Sequence, residues 1–436
     1  MNTCTAGFAK LDITPPMGVQ MAGYYNVRIA DGVWDPLYVR AAAFGQGNRT
    51  AVLLICDLLN IRGSASFEWP VAIAKELGLP EEAVFLGHTH THTGPEVGDY
   101  RRDEMYDAWL MRRICDAARL AMADRKPVID VRTAETTVPG LTFVRRFRAQ
   151  DGHVQTWAHG EPDLIGPAHA PDESLRLIRI LRGDAPEVVL VNFQVHPDMI
   201  GGTKISADFP GELCRRIERE RPEARCIFLQ GAEGELVPWD MMRTGRPGVG
   251  DQVAYDFSMG HGIKLAQAVL DIYDQSQTTG EGGLGFAKEA VRVKTKWDPA
   301  LVPEADRILK QIEAGKGEEL TQKWNVSSLK AAAKVQINLD MQKQTHRELP
   351  VTVLAFCGVA LAGIPGELFS QAGTRIREQS LFPVTCVCSL INGRGGYYAT
   401  AEAYEQGGYE PANCDFVSGT TEQLQESAVR LMNGLR

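Results

Sequence analysis

The sequence predicts an α/β protein with a mixed β-sheet core and flanking helices. Short, continuously apolar runs, of which 51–57 and 187–195 are the clearest, have the composition of fully buried strands. Residues 103–124 carry apolar side chains at helical spacing, and 65–77 are also expected to be helical. Because strand and helix patterns follow one another along the chain, the order is that of an α/β layer.

The other predicted elements complete this pattern. Strands are expected at the start of 5–23, at 38–46, 50–57, 84–87, within 128–182, and at 187–195, 226–230, 286–297, 350–363 and 386–390. Helices are expected at 65–77, 103–124, 206–219, 254–275, 303–314, 328–340, 369–379 and 420–434. The glycine-rich stretch 276–284 either divides the chain or forms a surface loop. We expect 1–436 to be a single domain with a flexible loop at 276–284.

Composition narrows the classes of function. The 436 residues are 44% hydrophobic, which is enough for a sizeable core, and the net charge of −9 argues against nucleic acid or an anionic membrane surface as a partner. No apolar run is long enough to span a bilayer, so we expect no stable membrane insertion. The nine cysteines are scattered, and the N-terminus has no basic and apolar leader, which favours reduced thiols and a cytoplasmic protein. The oligomeric state is left open.

The segment 87–96 contains three histidines that alternate with threonines. In an extended strand, His88, His90 and His92 would lie on one face. Imidazole nitrogens are common ligands of zinc and related metals, so the cluster favours a metal site over three partly solvated polar side chains. Further ligands must come from elsewhere, because zinc takes about four.

Other polar residues also follow predicted strands. His196 ends a buried strand and is the best candidate for a second ligand. Glu367 follows another apolar strand, where it either binds the metal or caps the next helix. Arg145 and Arg146 are either solvated or, near a metal pocket, bind an anionic or carbonyl group of a substrate.

Several segments match one known family in its own order. These are Asp12-Ile-Thr-Pro-Pro, His90-Thr-His92-Thr-Gly-Pro, Val195-His196-Pro, Ile205-Ser-Ala-Asp208, Gln230-Gly-Ala-Glu-Gly-Glu, Pro365-Gly-Glu367 and the stretch from Asn392 through Tyr397 and Glu402 to Tyr409-Glu410. Together they resemble the catalytic domain of the neutral/alkaline (non-lysosomal) ceramidases, more closely its smaller bacterial relatives. The resemblance covers nearly the whole chain, without the C-terminal immunoglobulin-like domain that ceramidases carry.

The resemblance implies a set of site residues. The family's Zn²⁺ would be held by four side chains, which are His90, His196, Glu367 and Tyr397. His92 and Tyr409 would polarise the amide carbonyl and stabilise its oxyanion. His88 is extra to the family motif and would support a ligand instead of binding the metal.

One departure from the family changes the expected mechanism. The ceramidases have a proposed serine nucleophile after the glycine of Gly-Asp-Val-Ser, and this chain has Val237 at that position. The simplest remaining nucleophile is a metal-bound water. Glu235, at the family's aspartate position, is either a base or a structural hydrogen-bond acceptor.

The sequence therefore predicts a zinc-dependent hydrolase of an amide (N-acyl) bond in a small-molecule substrate, not necessarily ceramide. Arg145, Arg146 and Arg394 point to a polar or anionic substrate. Two alternatives stay open. The same centre could hydrolyse another bond in a polar or sugar-derived metabolite, or the protein could be a catalytically silent metal-binding relative.

Overall fold

The computed structural model describes residues 3–98, 101–157, 163–279, 282–321 and 324–436. Within those ranges the strands are β1 Cys4–Asp12, β2 Gly32–Val33, β3 Tyr38–Gln46, β4 Arg49–Cys56, β5 Val84–His88, β6 Lys126–Thr137, β7 Phe143–Val144, β8 Arg146–Ala149, β9 Val154–Thr156, β10 Leu164–Pro167, β11 Ser174–Arg182, β12 Ala185–Phe193, β13 Lys204–Ile205, β14 Ala224–Gln230, β15 Leu236–Val237, β16 Gln277–Thr278, β17 Leu284–Lys294, β18 His346–Phe356, β19 Val359–Gly363, β20 Glu367–Leu368, β21 Val384–Cys388 and β22 Tyr397–Tyr398.

The helices alternate with these strands. They are α1 Ala65–Leu77, α2 Glu104–Ala123, α3 Asp208–Glu220, α4 Gln252–Tyr273, α5 Val302–Glu313, α6 Val326–Gln342, α7 Ser370–Glu378, α8 Ala401–Gln406, α9 Tyr409–Ala412 and α10 Thr420–Gly434, with short 3-10 helices at Glu81–Ala83 and Gly317–Leu320. None of the described helices is long and apolar enough to cross a membrane.

Two sheets form the centre of the molecule. Among the described residues, the larger sheet has nine strands in the order β14-β12-β11-β6-β1-β3-β4-β5, with β16 paired to β6. Its neighbours are antiparallel except for the outer pairs β12–β14 and β4–β5, which are parallel. The second sheet has four strands in the order β17-β18-β19-β21. The sheet is therefore mixed, as predicted.

The two sheets pack face to face through an apolar core. Side chains of the large sheet, such as Phe44 and Leu190, share one buried cluster with Leu354 and Cys386 of the small sheet. The rings of Phe44 and Phe356 lie 4.9 Å apart across this interface. Their burial gives the free energy that holds the sheets together, at roughly 25 cal/mol per Å² of apolar surface removed from water.

Helices cover the outer faces of both sheets. One apolar cluster joins α1 and α2 to the β1–β3–β4–β5 half of the large sheet, and another joins α3 and α4 to its β11–β12–β14 half. The small sheet is covered by α7 and α10. The result is a helix–sheet–sheet–helix arrangement, which confirms the predicted α/β class with flanking helices.

Most predicted elements are present with bounds within a few residues. The predicted flexible stretch 276–284 includes residues 280–281, which lie outside the described residues. On one side of them β16 pairs with β6, and on the other β17 begins at Leu284. The single-domain organisation of 1–436 stays a prediction.

Candidate metal centre

The histidine segment leaves the sheet earlier than the sequence predicts. Strand β5 ends at His88, and His90 adopts a left-handed backbone conformation with φ of 72°. The amide of His90 donates to the carbonyl oxygen of Leu58 at 2.9 Å, so the chain turns here. The prediction of an extended strand through His92 is therefore wrong, because the backbone is bent between the first and third histidines.

The turn brings two of the three predicted histidines to His196, which follows β12. The ring centre of His90 lies 5.0 Å from that of His92 and 5.1 Å from that of His196, and the rings of His92 and His196 are 5.9 Å apart. His88 lies apart from this group. Its Nδ1 is 3.2 Å from the carbonyl oxygen of Leu390, and burial lowers its pKa to about 3.

Backbone carbonyls fix the orientation of two imidazoles. Nδ1 of His90 lies 2.9 Å from the Leu59 oxygen, and Nδ1 of His196 lies 2.9 Å from the Glu233 oxygen. Each Nδ1 therefore carries the proton when the ring is neutral, which leaves Nε2 as the free ligand atom. This is the usual arrangement of a metal-binding histidine.

Both Nε2 atoms face the carboxylate of Glu367. Its Oε2 lies 3.2 Å from Nε2 of His196 and 3.6 Å from Nε2 of His90. Burial alone would raise the pKa of Glu367, but the two imidazoles hold it well below its usual range. The carboxylate is therefore ionised and available as a ligand.

Two further side chains at this centre lack hydrogen-bond partners among the described residues. They are His92, with neither ring nitrogen bonded, and Glu233, with neither carboxylate oxygen bonded. Burial lowers the pKa of His92 to about 3, which keeps the ring neutral. Burial of a polar group without a partner costs about 1–3 kcal/mol, so these atoms are suited to a ligand that supplies the missing partner.

The donor atoms form two overlapping groups that could hold a cation. Ligand atoms of His90, His92 and His196 lie within 4.8 Å of one another, and so do those of His90, Glu233 and Glu367. Imidazole with carboxylate suits zinc, manganese and iron. The residues present therefore fit the metal ion that the sequence predicts.

The predicted tyrosines line the same centre. Strands β20 and β22 are parallel and place Tyr397 directly beside Glu367. The ring of Tyr397 lies 6.4 Å from that of His196 and 5.7 Å from that of Tyr409. Burial raises the pKa of Tyr397 well above its usual range.

The three predicted arginines occupy different environments. Arg145 is buried, donates to Glu410 at 2.7 Å and lies with its guanidinium carbon 5.3 Å from the centre of the Tyr397 ring. Arg146 is also buried and donates to the other oxygen of Glu410 at 2.9 Å. Arg394 is exposed. Arg145 therefore lies beside Tyr397 at the candidate centre, and Arg394 lies at the surface. Direct substrate binding by any of the three arginines stays a prediction.

Solved structures show what this arrangement resembles. No protein-family model matches the sequence. The neutral ceramidase from Pseudomonas aeruginosa matches with a TM-score of 0.75 at 19% sequence identity, over 100% of this chain and 75% of that chain. A ceramidase complexed with C2 matches with a TM-score of 0.73 at 16% identity, over 100% of this chain and 76% of that chain.

The chain has the neutral ceramidase fold. This confirms the predicted ceramidase-like catalytic domain as a fold. At these identities the likeness concerns architecture, so the chemistry must be argued from the side chains.

Val237 and Glu235, the two positions that differ from the ceramidase motif, are both held by contacts within the neutral ceramidase fold. Val237 pairs with Phe143 of β7 and is 1% exposed in an apolar cluster with Trp239. Both oxygens of Glu235 accept hydrogen bonds from the Ser370 amide, at 2.9 and 3.1 Å, at the start of α7. Of the two roles open for Glu235, the structure thus favours the structural acceptor.

Sequence reasoning assigned no role to three residues that lie at the centre. These are Glu233, Asp198, whose Oδ1 lies 3.8 Å from Nδ1 of His92, and Tyr25, whose hydroxyl is 2.9 Å from that of Tyr409. Glu233 carried a usable signal, because it follows β14 just as His196 follows the parallel strand β12. Tyr25 carried no such sequence signal, because it lies in a long loop far from the other site residues in the chain.

Proposed function

We propose that the protein is a metal-dependent hydrolase of an amide (N-acyl) bond in a small-molecule substrate. The observation that carries this is the convergence of His90, His196 and Glu367, in which both imidazole Nε2 atoms lie within 3.6 Å of one carboxylate oxygen. The neutral ceramidase fold supports the choice of an amide, because the solved proteins that share it are named for hydrolysis of ceramide, an N-acyl compound.

Zinc is the proposed ion. His90, His196 and Glu367 would hold it together with Tyr397, which lies beside Glu367. A bound divalent ion supplies Lewis acidity, which polarises a carbonyl group and makes water a better nucleophile at neutral pH.

His92 and Tyr409 are the proposed hydrogen-bond donors to the carbonyl oxygen as it becomes an oxyanion. His92 is neutral and has both nitrogens free, so one N–H is available to donate. The Tyr409 hydroxyl is held by Tyr25 and by Asn413, whose Nδ2 donates to it at 3.2 Å. Each such donor is typically worth about 3–4 kcal/mol in the transition state.

Water is the proposed nucleophile. Val237 offers no hydroxyl and lies in an apolar cluster, so a covalent acyl–enzyme at this position is chemically impossible.

Arg145 and Arg394 are proposed to favour a polar or anionic group on the substrate. We also propose a cytoplasmic location, where polar small-molecule substrates are found.

The test is hydrolysis of a panel of N-acyl compounds that differ in chain length and in the polarity of the amine. Zinc-loaded and chelator-stripped protein are assayed side by side, with matched esters included. Zinc-dependent release of the amine from any amide supports the proposal. Turnover of esters alone, or of no compound by protein that holds one ion, contradicts amide hydrolysis.

A further inference from the structure

Glu233 occupies a fixed position at the edge of the large sheet. It follows β14, which runs parallel to β12, and the carbonyl oxygen of Glu233 accepts from Nδ1 of His196 at 2.9 Å. Gly234 then passes so close to β20 that a β-carbon there would lie 2.8 Å from the carbonyl oxygen of Glu367. The backbone at 233–234 is thus held against both a ligand histidine and the ligand carboxylate.

The side chain of Glu233 is fully buried, with 0% exposure. Among the described residues neither carboxylate oxygen has a hydrogen-bond partner of ordinary distance and angle, although the Ser389 hydroxyl lies close enough to stabilise the charged form. Burying an ionised carboxylate without a partner costs several kcal/mol. Such a group needs either a proton or a cation.

The position of the carboxylate favours a cation. An oxygen of Glu233 lies within 4.8 Å of the ligand atoms of His90 and Glu367, which is the span that one bound ion bridges. Two buried carboxylates also carry the two negative charges that balance a divalent ion, whereas Glu367 alone balances one.

On these observations we propose that Glu233 is a direct ligand of the metal ion. This rests on the proposed function, which places the ion at His90, His196 and Glu367, and it adds a second carboxylate to that set. With Tyr397 the ion then has five protein donors, more than the four of a usual zinc site. The centre therefore suits ions that accept five or six donors, such as manganese or iron, as well as zinc.

The test is the metal affinity of the Glu233→Gln variant, measured by competition with a chromophoric chelator for Zn²⁺. A residue that only orients a ligand typically contributes 10–100-fold to affinity, so loss of a direct ligand is expected to weaken binding by more than roughly 100-fold. A smaller loss overturns the proposal.

Glu235→Gln is the matched control. It alters a buried glutamate two positions away that bonds Ser370 and lies outside both donor groups. Its affinity for Zn²⁺ is expected to equal that of the wild type, and an equal loss in both variants overturns the assignment to Glu233. Circular dichroism of the metal-free proteins checks that each variant is folded.

A second readout compares the visible spectrum of Co²⁺ bound to the wild-type protein with that of Co²⁺ bound to Glu233→Gln. Co²⁺ bound to the wild-type protein gives strong visible absorption with four ligands and weak absorption with five or six. The two spectra, taken at saturating Co²⁺, are expected to differ because one donor is lost from the ion in the variant, and identical spectra overturn the role of Glu233.

These outcomes separate the two proposals. Wild-type protein that binds an ion and hydrolyses amides, while Glu233→Gln binds equally well, overturns only the role of Glu233. Wild-type protein that binds an ion without hydrolysis, while Glu233→Gln loses the ion, overturns only the proposed function.

Discussion

Oε2 of Glu367 lies 3.2 Å from Nε2 of His196, although the two residues are 171 positions apart in the chain. His196 follows β12 of the large sheet, and Glu367 begins the short strand β20, which follows β19 of the small sheet. The candidate metal centre thus joins residues that follow strands of both sheets. The two side chains therefore come together only when both sheets are folded.

The first prediction concerns metal content. His90→Ala removes a ligand common to both donor groups, so the purified variant is expected to hold far less than one zinc per chain and to lose hydrolysis. Elemental analysis after gel filtration measures this. His88→Ala is the matched control, because His88 is two residues away, equally buried and outside both groups. Equal metal content in the two variants would contradict the assignment.

The second prediction concerns the buried cluster behind the site. Glu410 is 0% exposed and pairs with both Arg145 and Arg146. Glu410→Gln leaves two buried guanidinium groups without a counter-charge, which is expected to lower the free energy of unfolding by about 3–5 kcal/mol. Urea unfolding of the metal-free protein measures it. Glu405→Gln, at an exposed position of the preceding helix, should change stability by less than about 0.5 kcal/mol.

The third prediction concerns acid stability. His261 of α4 is buried against Phe209, with ring centres 5.1 Å apart, and burial lowers its pKa to about 3. The unfolded chain binds a proton at this histidine below a pKa of about 6.5, whereas the folded protein does not until about pH 3. The buried neutral His261 therefore costs the folded protein no stability above about pH 6.5, and the free energy of unfolding decreases as the pH falls below that value.

Between pH 6.5 and 4.5 this loss is expected to be about 2–3 kcal/mol, at about 1.4 kcal/mol per pH unit. The measurement is urea unfolding of wild type and His261→Gln at both pH values. The variant should lose less stability than the wild type by this amount. His346→Gln, at an exposed histidine, should follow the wild type, and parallel behaviour of all three proteins would rule the explanation out.

The fourth prediction concerns the position where ceramidases have a serine. Val237→Ser places a hydroxyl among Trp239, Met241 and Phe147, and is expected to cost about 1–3 kcal/mol of stability without raising the rate of hydrolysis. Val237→Ala is the control for lost volume. A Val237→Ser protein that hydrolyses faster than both the wild type and Val237→Ala would place this side chain in the reaction.

Much of the fold was predictable from local pattern. Helix α1 spans Ala65–Leu77 as expected, and the apolar runs that precede Asp57 and His196 are strands of the large sheet. These elements are predictable because burial on one or both faces dictates their apolar spacing. The strand-end argument also singled out His196 and Glu367, and the structure brings these two side chains to within 3.2 Å.

The rest depends on tertiary contacts that no local pattern encodes. The left-handed conformation of His90 is fixed by a hydrogen bond to Leu58, and histidine gives only a weak preference for it. The engagement of Arg146 by Glu410 joins segments 264 positions apart. Glu233 follows a strand as His196 does, but that position alone does not show that its carboxylate is buried at the centre.

Metal-dependent amide hydrolysis is tested most directly by a zinc titration of metal-free protein, in which the hydrolysis of its best N-acyl substrate is followed at each addition. If one bound zinc is required for hydrolysis, the rate will rise in proportion to added zinc, stop rising at one ion per chain, and return to the background rate on chelation. Full activity in metal-free protein, or no activity in protein that has bound its ion, would contradict metal-dependent hydrolysis.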